Sequence, residues 1–202
     1  RDQAGDTYSD MLFVGGGQGG SAQGDGKSGL LYPTSAANTS IETFESRVPV
    51  LVVEKTYLTD SGGAGQHRGG LGQRVRLRKL SDDGLPTLVS LYPEGVNNPI
   101  PGLFGGKAGG GASGRVIDEQ GQVLRDVGTG DLVQVRQPHE IVELVLAGGA
   151  GYGPASERWR EAIARDIALG LVSPDAAKRD YGVQGAHATQ DVGEAKAGIL
   201  VA

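Results

Sequence analysis

The apolar residues of this chain fall in short runs, and their period changes once along the sequence. Pro49 to Leu58 carries Val50, Leu51, Val52 and Val53 in succession, too continuous for a half-exposed edge, which predicts a strand buried on both faces. Gln73 to Leu80 alternates instead. Arg74, Arg76 and Arg78 fall on one face and Val75 and Leu77 on the other, the pattern of a strand with one wet face. Met11 to Val14, Thr87 to Leu91, Arg115 to Asp118, Gln122 to Arg125, Asp131 to Arg136 and Glu140 to Leu146 read as further short strands. Asp82-Asp83-Gly84, Glu119-Gln120-Gly121 and Gly128-Thr129-Gly130 supply turns between them.

After Gly148 to Gly153 the period becomes 3.6. Trp159, Ile163 and Ile167 stand at i, i+4 and i+8 and Leu171 extends the stripe, while Arg158, Glu161, Arg165 and Asp166 lie elsewhere around the helix. Pro154 suits the first turn of this helix and Gly170 its end. A second helix is predicted from Ser173 as N-cap, with Pro174 at the first helical position, to a stop at Gly182. The apolar stripe needs a cover. The short Gly148 to Gly153 connection makes the β-rich body of the same chain the expected acceptor, with Trp159 shielded; a partner subunit as acceptor would instead leave Trp159 exposed. The pattern predicts an α+β fold: a β-rich body with glycine loops and two C-terminal helices in residues 1–183, then a tail or arm at 184–202.

Composition sharpens this picture at one point. Glycine accounts for 36 of 202 residues, well above the average of roughly 7%, without the three-residue period of collagen. Such glycines mark turns and close approaches of backbone to backbone. With 38% hydrophobic residues the chain is expected to fold, and a net charge of −5 gives no footprint for nucleic acid. The longest apolar run, Val50 to Val53, is far short of the roughly 20 residues of a membrane helix. The absence of cysteine excludes disulfides and thiolate sites; it fits a cytoplasmic protein and is compatible with export. Arg1 opens the chain without an apolar signal segment, so it is expected to begin partway along a longer polypeptide or after processing.

Several lone motifs lack their structural context. Gly15, Gly17 and Gly20 spell a dinucleotide fingerprint, but Ser21 to Gly29 cannot form the helix that would hold the pyrophosphate. Ser21 to Ser28 stands one residue from a phosphate-binding loop, and Pro33 precludes its helix around Lys27. His67, His139 and His187 are too scattered for a metal pair; His139 reads as a turn residue, and His67 divides between local packing and site lining. No complete metal site is expected within the chain.

A more specific block is Asp60-Ser61-Gly62-Gly63-Ala64-Gly65-Gln66-His67-Arg68-Gly69-Gly70-Leu71-Gly72. It resembles the D-S-G-G-A-G-x-x-R-G-G-x-G loop of the hydantoinase B/oxoprolinase family at every fixed position. Asp25-Gly26, Pro33, Asn38, Ile41-Glu42-Thr43-Phe44-Glu45 and Pro49 precede it in the family's order. Pro101 to Lys107, Gly151-Tyr152-Gly153, Gly170 to Ser173 and Tyr181-Gly182-Val183 follow it. Leu146 to Gly151 departs from the family's T-P-G-G-G-G. The resemblance spans roughly Asp6 to Val183.

It implies the C-terminal part of an N-methylhydantoinase B-type subunit, within an ATP-dependent hydrolase of cyclic amides such as hydantoins or 5-oxoproline. The implied assembly is a hetero-oligomer. ATP and a divalent metal would be bound by a hydantoinase A-type subunit and by the N-terminal remainder of this subunit, none by this chain. A ketone carboxylase of the same architecture, or a structural module shaping a channel, are the alternatives. Within that role, Gly62 to Gly72 with Arg68 could form an anion-binding nest, lined by Asn38, Ser61, Gly62, Gly63 and His67. Glu42 and Glu45, three apart on one helical turn, are candidates for a general base, and Asp60 for a site carboxylate. The alternative for the loop is scaffolding, with Asp60 capping its N–H groups and Arg68 bracing it from an exposed position.

Overall fold

The computed structural model describes residues 8–31, 38–82, 84–96 and 98–183, so the expected 184–202 tail, Pro33 and His187 lie outside the described residues. Strands β1 (Val50–Tyr57), β2 (Gln73–Lys79), β4 (Ser113–Ile117), β5 (Val123–Val127) and β7 (Ile141–Leu146) form one antiparallel sheet in the order β1-β2-β7-β4-β5. Strands β3 (Thr87–Ser90) and β6 (Leu132–Val135) pair as a separate two-stranded ribbon. Helix α1 (Ile41–Glu45) precedes β1, and α2 (Arg160–Ala168) and α3 (Pro174–Tyr181) close the described chain. The architecture is α+β and β-rich with two C-terminal helices, as the pattern predicts. Among the described residues no helix is long and apolar enough to cross a membrane.

The two faces of the large sheet differ because side chains alternate along each strand. One face carries Val116, Val127 and Val142, which pack with Leu91, Val133 and Val135 from the ribbon and its flank into one apolar cluster. The other face carries a row of alternating charge across all five strands. Glu54 stands opposite Arg76, Arg76 opposite Glu143, Glu143 opposite Arg115, and Arg115 opposite Asp126. Arg76 reaches Glu54 at 3.1 Å and Glu143 at 2.7 Å, and Arg74 reaches Glu54 at 2.8 Å. The expected wet face is therefore half-buried and internally paired.

Two strand expectations change. β1 is the edge of the sheet, and Val53 is exposed at a register shift between Val52 and Glu54. Its apolar run reflects packing on one face plus a bulge rather than burial on both. Met11 to Val14 pairs with nothing as a strand, and Met11 and Phe13 are exposed; the nearest pairing is a single bridge between Gly16 and Leu30.

Beyond one end of β1, β2, β7 and β4 the chain continues as glycine-rich segments that run side by side. Gly70 N–H donates to Gln18 O at 2.8 Å, Gly149 N–H to Gly70 O at 2.9 Å, and Gly63 N–H to Gly149 O at 2.8 Å. Gly151 N–H donates to Lys107 O at 2.8 Å and Gly110 N–H to Ser61 O at 2.7 Å. The backbones approach so closely that a Cβ on Gly69 would fall within 3 Å of Gly149 O, and one on Gly149 within 3 Å of Gln18 O. This glycine frame extends the sheet without side chains, and its cohesion is hydrogen bonding.

A direct test contrasts two glycines of the frame. Gly149→Ala should destabilise by about 1–3 kcal/mol or more, because the methyl meets backbone that cannot rotate away. Gly19→Ala, whose Cβ would meet nothing nearer than 3.6 Å, should change stability by less than about 0.5 kcal/mol. Urea denaturation of the two variants reads the difference.

Candidate functional site

The glycine frame has few side chains of its own, and four charged residues in and around it anchor it. Arg68, inside the frame, donates from Nε to Asp166 Oδ2 of α2 at 3.3 Å and from Nη1 to Gly69 O at 2.5 Å. Arg158, just before α2, donates to both Asp25 oxygens at 2.7 and 2.8 Å, to Asp166 Oδ2 at 2.6 Å and to Gln66 O at 3.0 Å. Asp25 also accepts the Arg68 backbone N–H at 2.7 Å. Asp166 is 1% exposed, and the Arg158 and Arg68 side chains are 2% and 6% exposed. Two arginines and two aspartates thus join the loop 15–29, the loop 62–72 and α2 in one largely buried network.

Apolar contacts complete the junction. Ile163 of α2 packs with Ala64 of the frame and with Val172, Ala176, Ala177 and Tyr181, and Ile167 lies against them. The stripe is thus covered within the chain, but chiefly by α3 and Val172 with Ala64 of the frame rather than by the sheet, and Trp159 is not shielded but 77% exposed. The helix begins at Arg160, past the expected first turn at Pro154: Pro154 instead leads a single 3-10 turn, Ala155–Glu157, and Trp159 is the extended N-cap of α2. The Ser173 cap, Pro174 and the left-handed Gly182 of α3 stand as predicted.

Arg68 therefore does not sit on the surface as an exposed loop arginine; it is among the buried charges of the fold. Asp60 adopts φ 66°, donates its N–H to Leu171 O at 3.1 Å and accepts Ser173 N–H on Oδ1 at 2.6 Å. It clamps the corner between α2 and α3 rather than capping its own loop. Ser61 Oγ donates to Leu58 O at 2.5 Å and accepts Gly72 N–H at 2.8 Å, while Gly62 abuts Gly69 and Gly63 bonds Gly149. His67 exchanges both backbone hydrogen bonds with Tyr152 at 2.9 Å, and its ring is 6.4 Å from the Tyr152 ring. Asn38 Nδ2 donates to Gly29 O at 3.3 Å.

The two glutamates of α1 do not pair. Glu42 is fully exposed and accepts the Ser40 hydroxyl at 2.5 Å, which holds its pKa below the ordinary value, opposite to what a general base requires. Glu45 accepts Val52 N–H at 2.7 Å and so covers part of the β1 edge. The structure brings Asp60, Ser61, Gly62, Gly63, His67 and Arg68 into the frame, and leaves Glu42 and Glu45 on local work beside β1. Among the described residues no three His, Asp or Glu side chains converge on one point. An open cleft of about 580 Å³ lies elsewhere, lined by Arg125, Asp131, Arg136 and Glu140.

Asp25, Arg158 and Asp166 escape the sequence reading. Asp166 is three residues beyond Ile163, a spacing that puts both on one helix face, so the signal was present as a charge beside the apolar stripe. Burial works to raise the Asp25 pKa, but the Arg158 guanidinium and the Arg68 N–H outweigh it and hold the carboxyl below its usual value. A depressed carboxylate pKa contributes stability that is present above the unfolded value and lost as pH falls through the folded one.

Two outcomes follow from this network. Arg68→Ala should cost about 3–5 kcal/mol of stability, because it leaves Asp166 buried with one of its two arginines removed. The melting temperature should fall as pH drops from about 5 to about 3, and Asp25→Asn should flatten that acid limb relative to wild type in thermal melts across the range.

Comparison with known proteins places this architecture. The hydantoinase B/oxoprolinase sequence profile matches residues 1–155. Caprolactamase subunit beta of Pseudomonas jessenii is 37% identical over 145 residues, which is 71% of this chain and 24% of the relative. 5-Oxoprolinase 1 of Arabidopsis thaliana is 32% identical over 152 residues, 73% of this chain and 11% of the relative. The chain thus spans a quarter or less of the length of these curated relatives. The crystal structure of ATP-dependent caprolactamase from Pseudomonas jessenii superposes with a TM-score of 0.73 at 29% identity, covering 88% of this chain and 31% of that one. Nucleotide-free acetone carboxylase shares the fold, with a TM-score of 0.61 at 21% identity over 85% of this chain and 27% of that one. With a profile match over most of its length, frame included, this chain belongs to the hydantoinase B/oxoprolinase family.

Proposed function

We propose that this chain is part of an ATP-dependent cyclic-amide hydrolase, and that its contribution is the rigid glycine frame rather than a complete catalytic set. The observation that carries this reading is the frame itself, four backbone segments locked at contact distance and anchored by a buried ionic network, in a chain 37% identical to caprolactamase subunit beta and 32% to 5-oxoprolinase 1. Both relatives are named for lactams, so a small cyclic amide is the substrate class.

Lactam carbonyls are poor electrophiles; phosphorylation of the carbonyl oxygen activates the carbon to attack by water. The adduct expels the ring nitrogen as the C–N bond breaks, and a second water hydrolyses the resulting acyl phosphate to carboxylate and inorganic phosphate. Among the described residues no three metal-ligating side chains converge. In this reading ATP and a divalent metal are held by a hydantoinase A-type subunit and by further chain of the B-type subunit, in a hetero-oligomeric, cytoplasmic assembly. Arg68, Ser61, Gly62 and Gly63 act by fixing the frame. Asp60 and His67, partly exposed at its rim, are the nominated residues placed to meet substrate or a neighbouring subunit.

Phosphate release with ATP and caprolactam, 5-oxoproline or hydantoin tests the reading. The 202-residue chain alone should show no turnover, and the full assembly should turn over with one of the lactams. Robust turnover by the isolated chain would overturn it. In the assembly, Asp60→Asn should lower turnover with little change in melting temperature, because asparagine keeps an Oδ1 acceptor for the Ser173 N–H and tolerates the positive φ. Gly149→Ala should lower both together.

A further inference from the structure

Where α2 and α3 meet the glycine frame, three enclosed polar atoms have no hydrogen-bond partner among the described residues: Arg158 Nε, Asp166 Oδ1 and the Tyr181 hydroxyl. Buried polar groups are hydrogen-bonded in the great majority of folded proteins, to protein or to ordered water. Three exceptions on three neighbouring residues ask for one common partner rather than three separate ones.

The geometry sets them around one point. A guanidinium is a planar fork in which Nε–H and one Nη–H point the same way. Arg158 gives its two Nη groups end-on to Asp25, at 2.7 and 2.8 Å, and Nη2 also donates to Asp166 Oδ2 at 2.6 Å. The adjacent prong, Nε–H, therefore stands beside the same Asp166 carboxylate. Asp166 takes both Arg158 and Arg68 on Oδ2, which leaves Oδ1, the other half of a bidentate pair, uncommitted.

Tyr181 ends α3 beside them. Its ring centre is 6.0 Å from the Arg158 guanidinium carbon, and it packs with Ile163, three residues before Asp166 on α2. Burial holds the pKa of its hydroxyl above the usual value, against the opposing pull of Arg158 and Arg68, so the hydroxyl keeps its proton at neutral pH. Tyr181 is 9% exposed and Asp166 1%, and Ala64, Ala176 and Ala177 pack with the tyrosine.

Donor and acceptor character selects the occupant. Arg158 Nε can only donate, the ionised Asp166 Oδ1 can only accept, and the Tyr181 hydroxyl can do either. A molecule touching all three must accept one hydrogen bond and donate another. A cation would face Arg158 and an anion would face Asp166, while the network is already balanced with two arginines against two aspartates. A small neutral molecule remains, and water, which makes about three hydrogen bonds when buried among polar groups, meets the requirement.

We propose that the junction of frame, α2 and α3 binds one enclosed water molecule, held by Arg158 Nε–H, Asp166 Oδ1 and the Tyr181 hydroxyl. This water extends the ionic network to α3, whereas the direct hydrogen bonds of its four charged side chains reach only α2. The site is a property of the fold and holds whichever cyclic amide the assembly turns over.

The test is a crystal structure of the full-length subunit that contains this chain, in its assembly and at a resolution that shows ordered water, for wild type and Tyr181→Phe. In the wild type one water should lie about 2.7–3.2 Å from each of the three atoms. Tyr181→Phe keeps the ring and removes one of the three partners, so the water peak should weaken or vanish while Arg158 and Asp166 stay in place. A dry junction in the wild type overturns the site. So does a direct Arg158 Nε–H bond to Asp166 Oδ1, or a Tyr181 hydroxyl lying directly on that oxygen. An undiminished water in Tyr181→Phe overturns the part given to Tyr181, and if that variant does not fold the wild-type structure decides alone.

Discussion

Backbone meeting backbone at distances that exclude a Cβ is the constraint on which the rest of this structure depends. Ordinary cores are held by interdigitated side chains, whose loss of contact is what makes cavities costly. In the glycine frame there are none to interdigitate. Gly63, Gly69, Gly70 and Gly149 lie against each other's peptide groups, and each N–H finds a carbonyl on a neighbouring segment. Glycine carries the largest entropy loss on folding, so a frame of this composition needs support from outside itself.

That support comes from the two C-terminal helices. Asp166 and Arg158 reach into the frame through Arg68 and Asp25, Asp60 ties the corner between the helices, and Ala64 contributes the one frame side chain that joins an apolar cluster. A buried ionic network is weak evidence for net stability, but removing one partner of it leaves a buried charge uncompensated, which is costly. The frame is thereby stiff, the property a positioned reaction or a docking surface requires.

Much of this was legible from the sequence because local signals and tertiary outcome agree. Period-2 runs became β2 to β7, the Ser173 cap and Gly182 bounded α3, and the Gly62 to Gly72 block carried the family resemblance. What failed did so where a single residue has two plausible readings. Asp166 is polar and so was placed outside, but burial among arginines makes polarity the reason it is inside. The valine run at Val50 to Val53 reads as doubly buried, yet a bulge and a neighbouring glutamate fit it to an edge. Site roles were hardest, because Arg68 and Ser61 have side-chain chemistry suited to catalysis and also bond Asp166, Gly69, Leu58 and Gly72 within the fold.

The row of charges across the large sheet has a consequence for how the sheet is made. β7 is the last strand in sequence but the central one in space, between β2 and β4. Until it arrives, Arg76 and Arg115 have no shared counter-ion; once it is in place, Glu143 stands between them. Every pairing of β7 with β2 spans more than 60 residues of chain, the kind of distant closure that makes folding slow. The first half of the sheet must therefore wait for its keystone, and the order of synthesis delivers that keystone only after every other strand has emerged.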